Sequence, residues 1–292
     1  QLQVQDFEIE SRTGTPLDTE KDGHRIVAAV EAVWGEVTEN DGFNRLVLAA
    51  RLEWREVGIL RSYCRWLLQT GIPFSQSYVE AVLLQNPRTA GNLVGLFLNQ
   101  FNPQVSARSR ANAAKRLGRD LDAALAAVQR LDEDRILRSF RAAIEATLRT
   151  NYFQKAADGR PKCYLAIKLS PGKVPGVPQP HPLFEIWTQS VRMEGVHLRK
   201  GRVARGGLRW SDRYEDFRTE VLGLMKAQNV KNTVIVPVGA KGGFVCRRLP
   251  SARDQQAREV VECYRTFIHS LLDLTDNIEQ GAVIAPPNTV RL

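Results

Sequence analysis

From His24 to Leu148 the apolar residues of this 292-residue chain return at the interval of a helix, and after Asn151 they stop doing so. "HRIVAAVEAVWGEV" carries Ile26, Val27, Val30, Ala32, Val33 and Trp34 at close to helical spacing. "FNRLVLAARLEWREVGILRSYCRWLLQTG" continues in that mode to Gly71 and Pro73, a glycine and proline stop. Ser75 or Ser77 caps the next helix, and Pro87 opens another, since proline fits the first helical turn. A long periodic stretch follows from Ser106 to Leu148 through Leu117, Leu121, Leu125, Val128, Ile136, Phe140 and Ile144. The first half of the chain therefore reads as helix throughout.

Beyond that point "KCYLAIKL" (162–169) and "PLFEIWTQS" (182–190) are short and rich in aliphatic and aromatic residues. The segment "SPGKVPGVPQPHP" between them is too full of proline and glycine to be helical. "GVHLRKGRVARGG" reads as two strand pieces turning at Lys200-Gly201. A helix capped by Ser211 or Asp212 and holding Phe217, Val221, Leu224, Met225 and Val230 follows. The strand "TVIVPV" (233–238) then leads into a glycine-rich turn, and a helix runs over 255–275. The expected fold class is α+β / α/β: an all-helical domain over 1–150, then a mixed-sheet α/β domain over 151–292.

Composition narrows the function classes. The net charge of +9 would suit an anionic partner, but arginines alternate with acids along "RDLDAALAAVQRLDEDRILRSFR", and no basic stripe is interleaved with aromatics. No nucleic acid is expected, and a small acidic substrate is the better match. No apolar run approaches the roughly 18 residues of a membrane helix, so no membrane association is expected either. Cysteines 64, 163, 246 and 263 form neither a C-x-x-C pair nor a Cys/His cluster. Neither a disulfide framework nor a metal is expected, and a reduced, cytoplasmic setting fits.

The chemistry concentrates in "VPVGAKGGF" (236–244), where Lys241 sits among glycines that let main chain and ligand approach closely. Walker A is excluded, because Gly242 stands where a Mg²⁺-binding hydroxyl belongs. No G-x-G-x-x-G follows a strand. The remaining feature is a set of cations: Arg205, Lys231 and Lys241, with Arg209 close by. If the first three share a pocket, two neutralise a dicarboxylate while the third, its charged form disfavoured by burial and like charge, exchanges protons. Read blandly, "GAKGG" is a turn with a solvated lysine. Arg209 and the cations of "DRYEDFR" read as capping and salt-bridge groups, the four histidines as isolated, and Trp187 and Trp210 as core.

The stretch "VARGGLRWSDRYEDFRTEVLGLMKAQNVKNTVIVPVGAKGGF" resembles the substrate-domain signature of glutamate dehydrogenases, in particular the large bacterial NAD-dependent ones. "FEIWTQSVRMEGVHLR" and "ECYRTFIHSLLDLTDN" fit the same family. The resemblance implies oxidative deamination of L-glutamate to 2-oxoglutarate and ammonia. It makes Lys241 the catalytic lysine and assigns substrate binding to Lys231, Arg205, Gly206 and Gly207. It also implies NAD as cofactor, held by a Rossmann domain expected after 292, and a homo-oligomer. On this reading the chain is a piece of the enzyme, inactive alone. Two other readings stay open: a dicarboxylate-binding module without chemistry, and a helical interaction or oligomerisation scaffold.

Overall fold

In the computed structural model, which describes residues 18–202, 206–231 and 239–292, the first half forms α1 (Thr19–Trp34), α2 (Leu46–Ala49), α3 (Trp54–Gln69), α4 (Gln76–Gln85), α5 (Pro87–Phe101), α6 (Ala107–Ala126) and α7 (Leu131–Glu145). Side chains close the helix ends, at Ser75 as the sequence leads one to expect. Asp18 accepts from Lys21 N, Ser75 from Tyr78 N, and Glu53 and Glu56 form a reciprocal capping box. Gly71, at φ +85°, takes the left-handed position after α3, and Pro87 begins α5. The stretch from Ser106 to Leu148 divides at 127–130 into α6 and α7, and its last residues turn extended in β1 (Thr147–Thr150).

The second half is a sheet of β1, β2 (Tyr164–Leu169), β3 (Phe184–Ser190), β4 (Met193–Arg199), β5 (Leu208–Trp210) and β6 (Ala240–Cys246), in spatial order β1-β2-β3-β4-β6-β5. Every neighbour pair is antiparallel except β5 and β6. The expected turn at Lys200-Gly201 therefore does not join a hairpin, since β6 lies between β4 and β5. Local turn chemistry cannot reveal a strand that inserts from further along the chain. Helix α8 (Phe217–Lys231) covers one face of the sheet and α9 (Arg253–Leu272) the other. Neither Ser211 nor Asp212, the two residues read as caps of α8, adjoins its first residue, Phe217; Ser211 instead donates through its hydroxyl to Glu220. A hairpin, β7 (Asn277–Glu279) and β8 (Ala282–Ile284), turns on Gln280 and Gly281, both at positive φ.

One apolar core runs through both halves. Trp66, Leu67 and Phe97 of the helices share it with Ile167, Trp187, Val196 and Leu198 of the sheet and Phe217 and Val221 of α8. Within it is a buried ionic knot. Arg218 of α8 makes a two-pronged contact with Glu185 of β3, at 2.8 and 2.6 Å, and Trp66 Nε1 of α3 donates to the same carboxylate at 2.7 Å. Glu185 and Arg218 are 0% and 1% exposed, so neither charge can be satisfied by water and each depends on the other. Gln69 completes the tie, accepting from Arg218 N and donating to the carbonyls of Tyr214 and Glu215. The start of α8 is thereby fixed to α3 and β3 together.

Candidate active site

The two glycine-bearing segments, separated in sequence by α8, lie side by side. Leu208, Arg209 and Trp210 pair in parallel with Gly242, Gly243 and Phe244, and Gly242 N donates to Gly207 O at 3.2 Å. Parallel neighbours need a crossover, and α8 supplies it, making β5-α8-β6 a single unit. The glycines permit the contact. A Cβ on Gly206 would stand 1.5 Å from the Ala240 carbonyl oxygen, and one on Gly243 would stand 2.5 Å from Val221 Cγ2 of α8. At Gly242 it would meet Leu208 Cδ2 at 2.2 Å. These glycines admit the protein's own strands and helix, the close approach that glycine inside a strand signals.

Lys241 is accordingly not in a turn: it is the second residue of β6, opposite Leu198 of β4. Alternation along the strand puts it on the same face as Gly243, the face that α8 covers. It is half-buried, and among the described residues its ammonium has no hydrogen-bond or ion-pair partner. A half-buried cation on the face of a βαβ unit is free to meet an anion or a polarised carbonyl. Gly206, Gly207 and Lys241 are thus brought together. Arg205, the side chain of Lys231 and the expected strand over 233–238 lie outside the described residues, while Lys231 closes α8, the helix that lies over this face.

Arg209 pairs with Glu220 at 3.2 Å and Arg213 with Asp216, the salt-bridge roles the sequence suggested. Trp187 is fully buried, but Trp210, also expected in the core, is 43% exposed on the edge strand β5. His197, read as isolated, lies directly opposite Gly242. Burial first, and then Arg199, pull its pKa down to about 4, so the ring is neutral at pH 7. Its alternation with Leu198 and Arg199 along a strand was the available signal. Among the described residues no group of three or more His, Cys, Asp or Glu is placed to hold a metal ion. None of their helices is long and apolar enough to cross a membrane.

The family model described as bacterial NAD-glutamate dehydrogenase, catalytic domain, matches residues 120–292. The chain belongs to that family. A second model, glutamate dehydrogenase helical motif 3, matches residues 38–103. The NAD-specific glutamate dehydrogenase of Halomonas elongata is 47% identical over 290 residues, covering 99% of this chain, and that of Pseudomonas aeruginosa 47% over 292 residues, also 99%. The Mycobacterium tuberculosis protein of the same name is 49% identical over 282 residues, 92% of this chain. The chain spans 18% of the length of the first two and 17% of the third.

NAD use goes with these relatives, yet the described residues do not fit a dinucleotide. Their sheet has a single parallel pair, and α8 is entered through "DRYED", whose Glu215 and Asp216 place negative charge where a pyrophosphate would need the helix's amides. The turn before α9, "LPSA", has no glycine to let phosphate approach.

Proposed function

We propose that this chain forms the glutamate-binding part of an NAD-dependent glutamate dehydrogenase, an enzyme converting L-glutamate to 2-oxoglutarate and ammonia. The single observation that carries the reading is the β5–β6 pairing, which seats Gly206 and Gly207 against Ala240 and Gly242 and so holds the "GGLR" and "AKGG" segments as one surface. Arg205 and Lys231 grip the substrate carboxylates, Arg205 through a two-pronged contact. Lys241 holds and releases the proton at the α-carbon substituent, polarising the carbonyl of 2-oxoglutarate in the reverse direction. On this reading the nicotinamide is held mainly by a further domain of the intact protein.

The test is Lys241→Ala in the intact protein. Turnover should fall roughly 10²- to 10⁴-fold, the usual contribution of a positioned acid or base, while NAD affinity and circular dichroism stay as in wild type. Turnover within a few-fold of wild type would remove Lys241 from the chemistry. Arg205→Ala should act mainly on KM for glutamate, because carboxylate binding is common to ground and transition states.

A further inference from the structure

The opposite face of the sheet, under α9, carries a second cationic cleft that the glutamate reaction does not use. Strand register lines up Arg149 of β1, Lys168 of β2, Ile186 of β3 and His197 of β4 in one row, with Phe184 and Arg199 in the next. The turn after α9 closes the cleft with Leu274, Thr275 and Asp276. Arg149, only 4% exposed, is spoken for: it donates to Leu274 O and to Asp276 Oδ1, both at 2.8 Å. Asp276, the one carboxylate among the described residues that line the cleft, also receives Arg291, so its charge is already shared by two arginines.

That leaves two cations unmatched. Lys168 is half-buried, lies 4.8 Å from the centroid of the Phe184 ring, and has no hydrogen-bond or ion-pair partner among the described residues. Arg199 spends one nitrogen on the carbonyl of Arg202, at 2.6 Å, while its Nε is buried without a partner among the described residues. Burial, then Arg149 and Arg199, disfavour the charged form of Lys168, so the cleft is held at a cost that a bound anion would offset.

We propose that this cleft binds a phosphoryl group between Lys168 and Arg199. Such a group concentrates about −1.5 to −2 charge and three acceptor oxygens on one centre, which suits a point-charge ammonium beside a planar guanidinium. A monocarboxylate would leave one of the two cations unmatched. The neutral ring of His197 adds a further hydrogen-bonding group, and Phe184 and Ile186 form an apolar wall for whatever carries the phosphate. The site is independent of the role given to Lys241, which lies on the other face.

Calorimetric titration of inorganic phosphate into the intact protein tests it, with ribose 5-phosphate as the ester arm and malonate as the dicarboxylate arm. Saturable phosphate binding is expected, weakened at least tenfold by Lys168→Met and by Arg199→Met, retained in Lys168→Arg, and unchanged in Lys241→Ala. Tighter binding of the ester through the same two residues supports the site with a phosphorylated metabolite as its source. Equal or weaker ester binding supports it with free phosphate as the source. No saturable phosphate binding by wild type, binding that both methionine variants leave intact, binding lost in Lys241→Ala, or tighter binding of malonate at the same residues would overturn the proposal.

Discussion

At Gly206 one methyl group decides whether β5 can reach β6. The obstructing atom is a backbone oxygen 1.5 Å from the Cβ position, and it cannot swing aside as a side chain would. Gly206→Ala should therefore cost about 1–3 kcal/mol, the range for forcing atoms into a packed region, seen as a lower midpoint in urea unfolding. Activity should fall further than stability, because the same shift parts the two motif segments. His197 offers a second test. Its folded pKa, about 4, lies below the ordinary 6.5, so the native state excludes a proton that the unfolded chain accepts. Its contribution is complete above pH 6.5 and is lost as the pH falls from there to 4. At 1.36 kcal/mol per unit this amounts to about 3 kcal/mol. Unfolding free energies measured across that window should fall less steeply in His197→Asn than in wild type; parallel curves would contradict the assignment. The oddity of a lysine among glycines made Lys241 visible in the sequence. What the glycines admit was not visible, because Leu208, Val221 and Ala240 come from elsewhere in the chain.

Among the elements, α8 does the positioning, and the Glu185–Arg218 pair anchors its first turn to β3 and α3. Breaking a buried pair leaves a bare charge, so Arg218→Met alone should cost about 3–5 kcal/mol, whereas Arg218→Met combined with Glu185→Leu should recover much of that loss. Chemical denaturation of the two singles and the double closes the cycle; additive losses would show that the two residues do not act as a pair. Helix ends with side-chain caps or with Gly and Pro were legible from sequence: Ser75, Gly71 and Pro87 each act where expected. The break between α6 and α7 was not, because "AVQR" contains no breaker. The apolar period of α1 marked a helix correctly but not a buried one, since Val27, Val30 and Trp34 are 57%, 55% and 81% exposed. Pairing order escaped the sequence for a physical reason: β6 enters between β4 and β5 by a contact that no local signal encodes.

For the whole molecule, the change of period near Asn151 marked the passage from helices to sheet, yet the core does not stop there. Tyr63 and Thr147 share a hydrogen bond of 2.7 Å, and Trp66 ends on Glu185. Residues 18–146 produced alone should consequently lose cooperative thermal unfolding and near-ultraviolet circular dichroism, both of which the 292-residue chain should show. A sharp transition with intact near-ultraviolet signal would mean that the helices need no sheet. The central claim is that the β5–β6 unit presents Lys241 to a dicarboxylate. It is tested most directly by a crystal structure of the intact protein soaked with 2-oxoglutarate. The ligand should lie on the α8 face of β6, with its C2 carbonyl oxygen within hydrogen-bonding distance of Lys241 Nζ; a well-ordered ligand seated elsewhere, with that ammonium turned to bulk water, would contradict this placement.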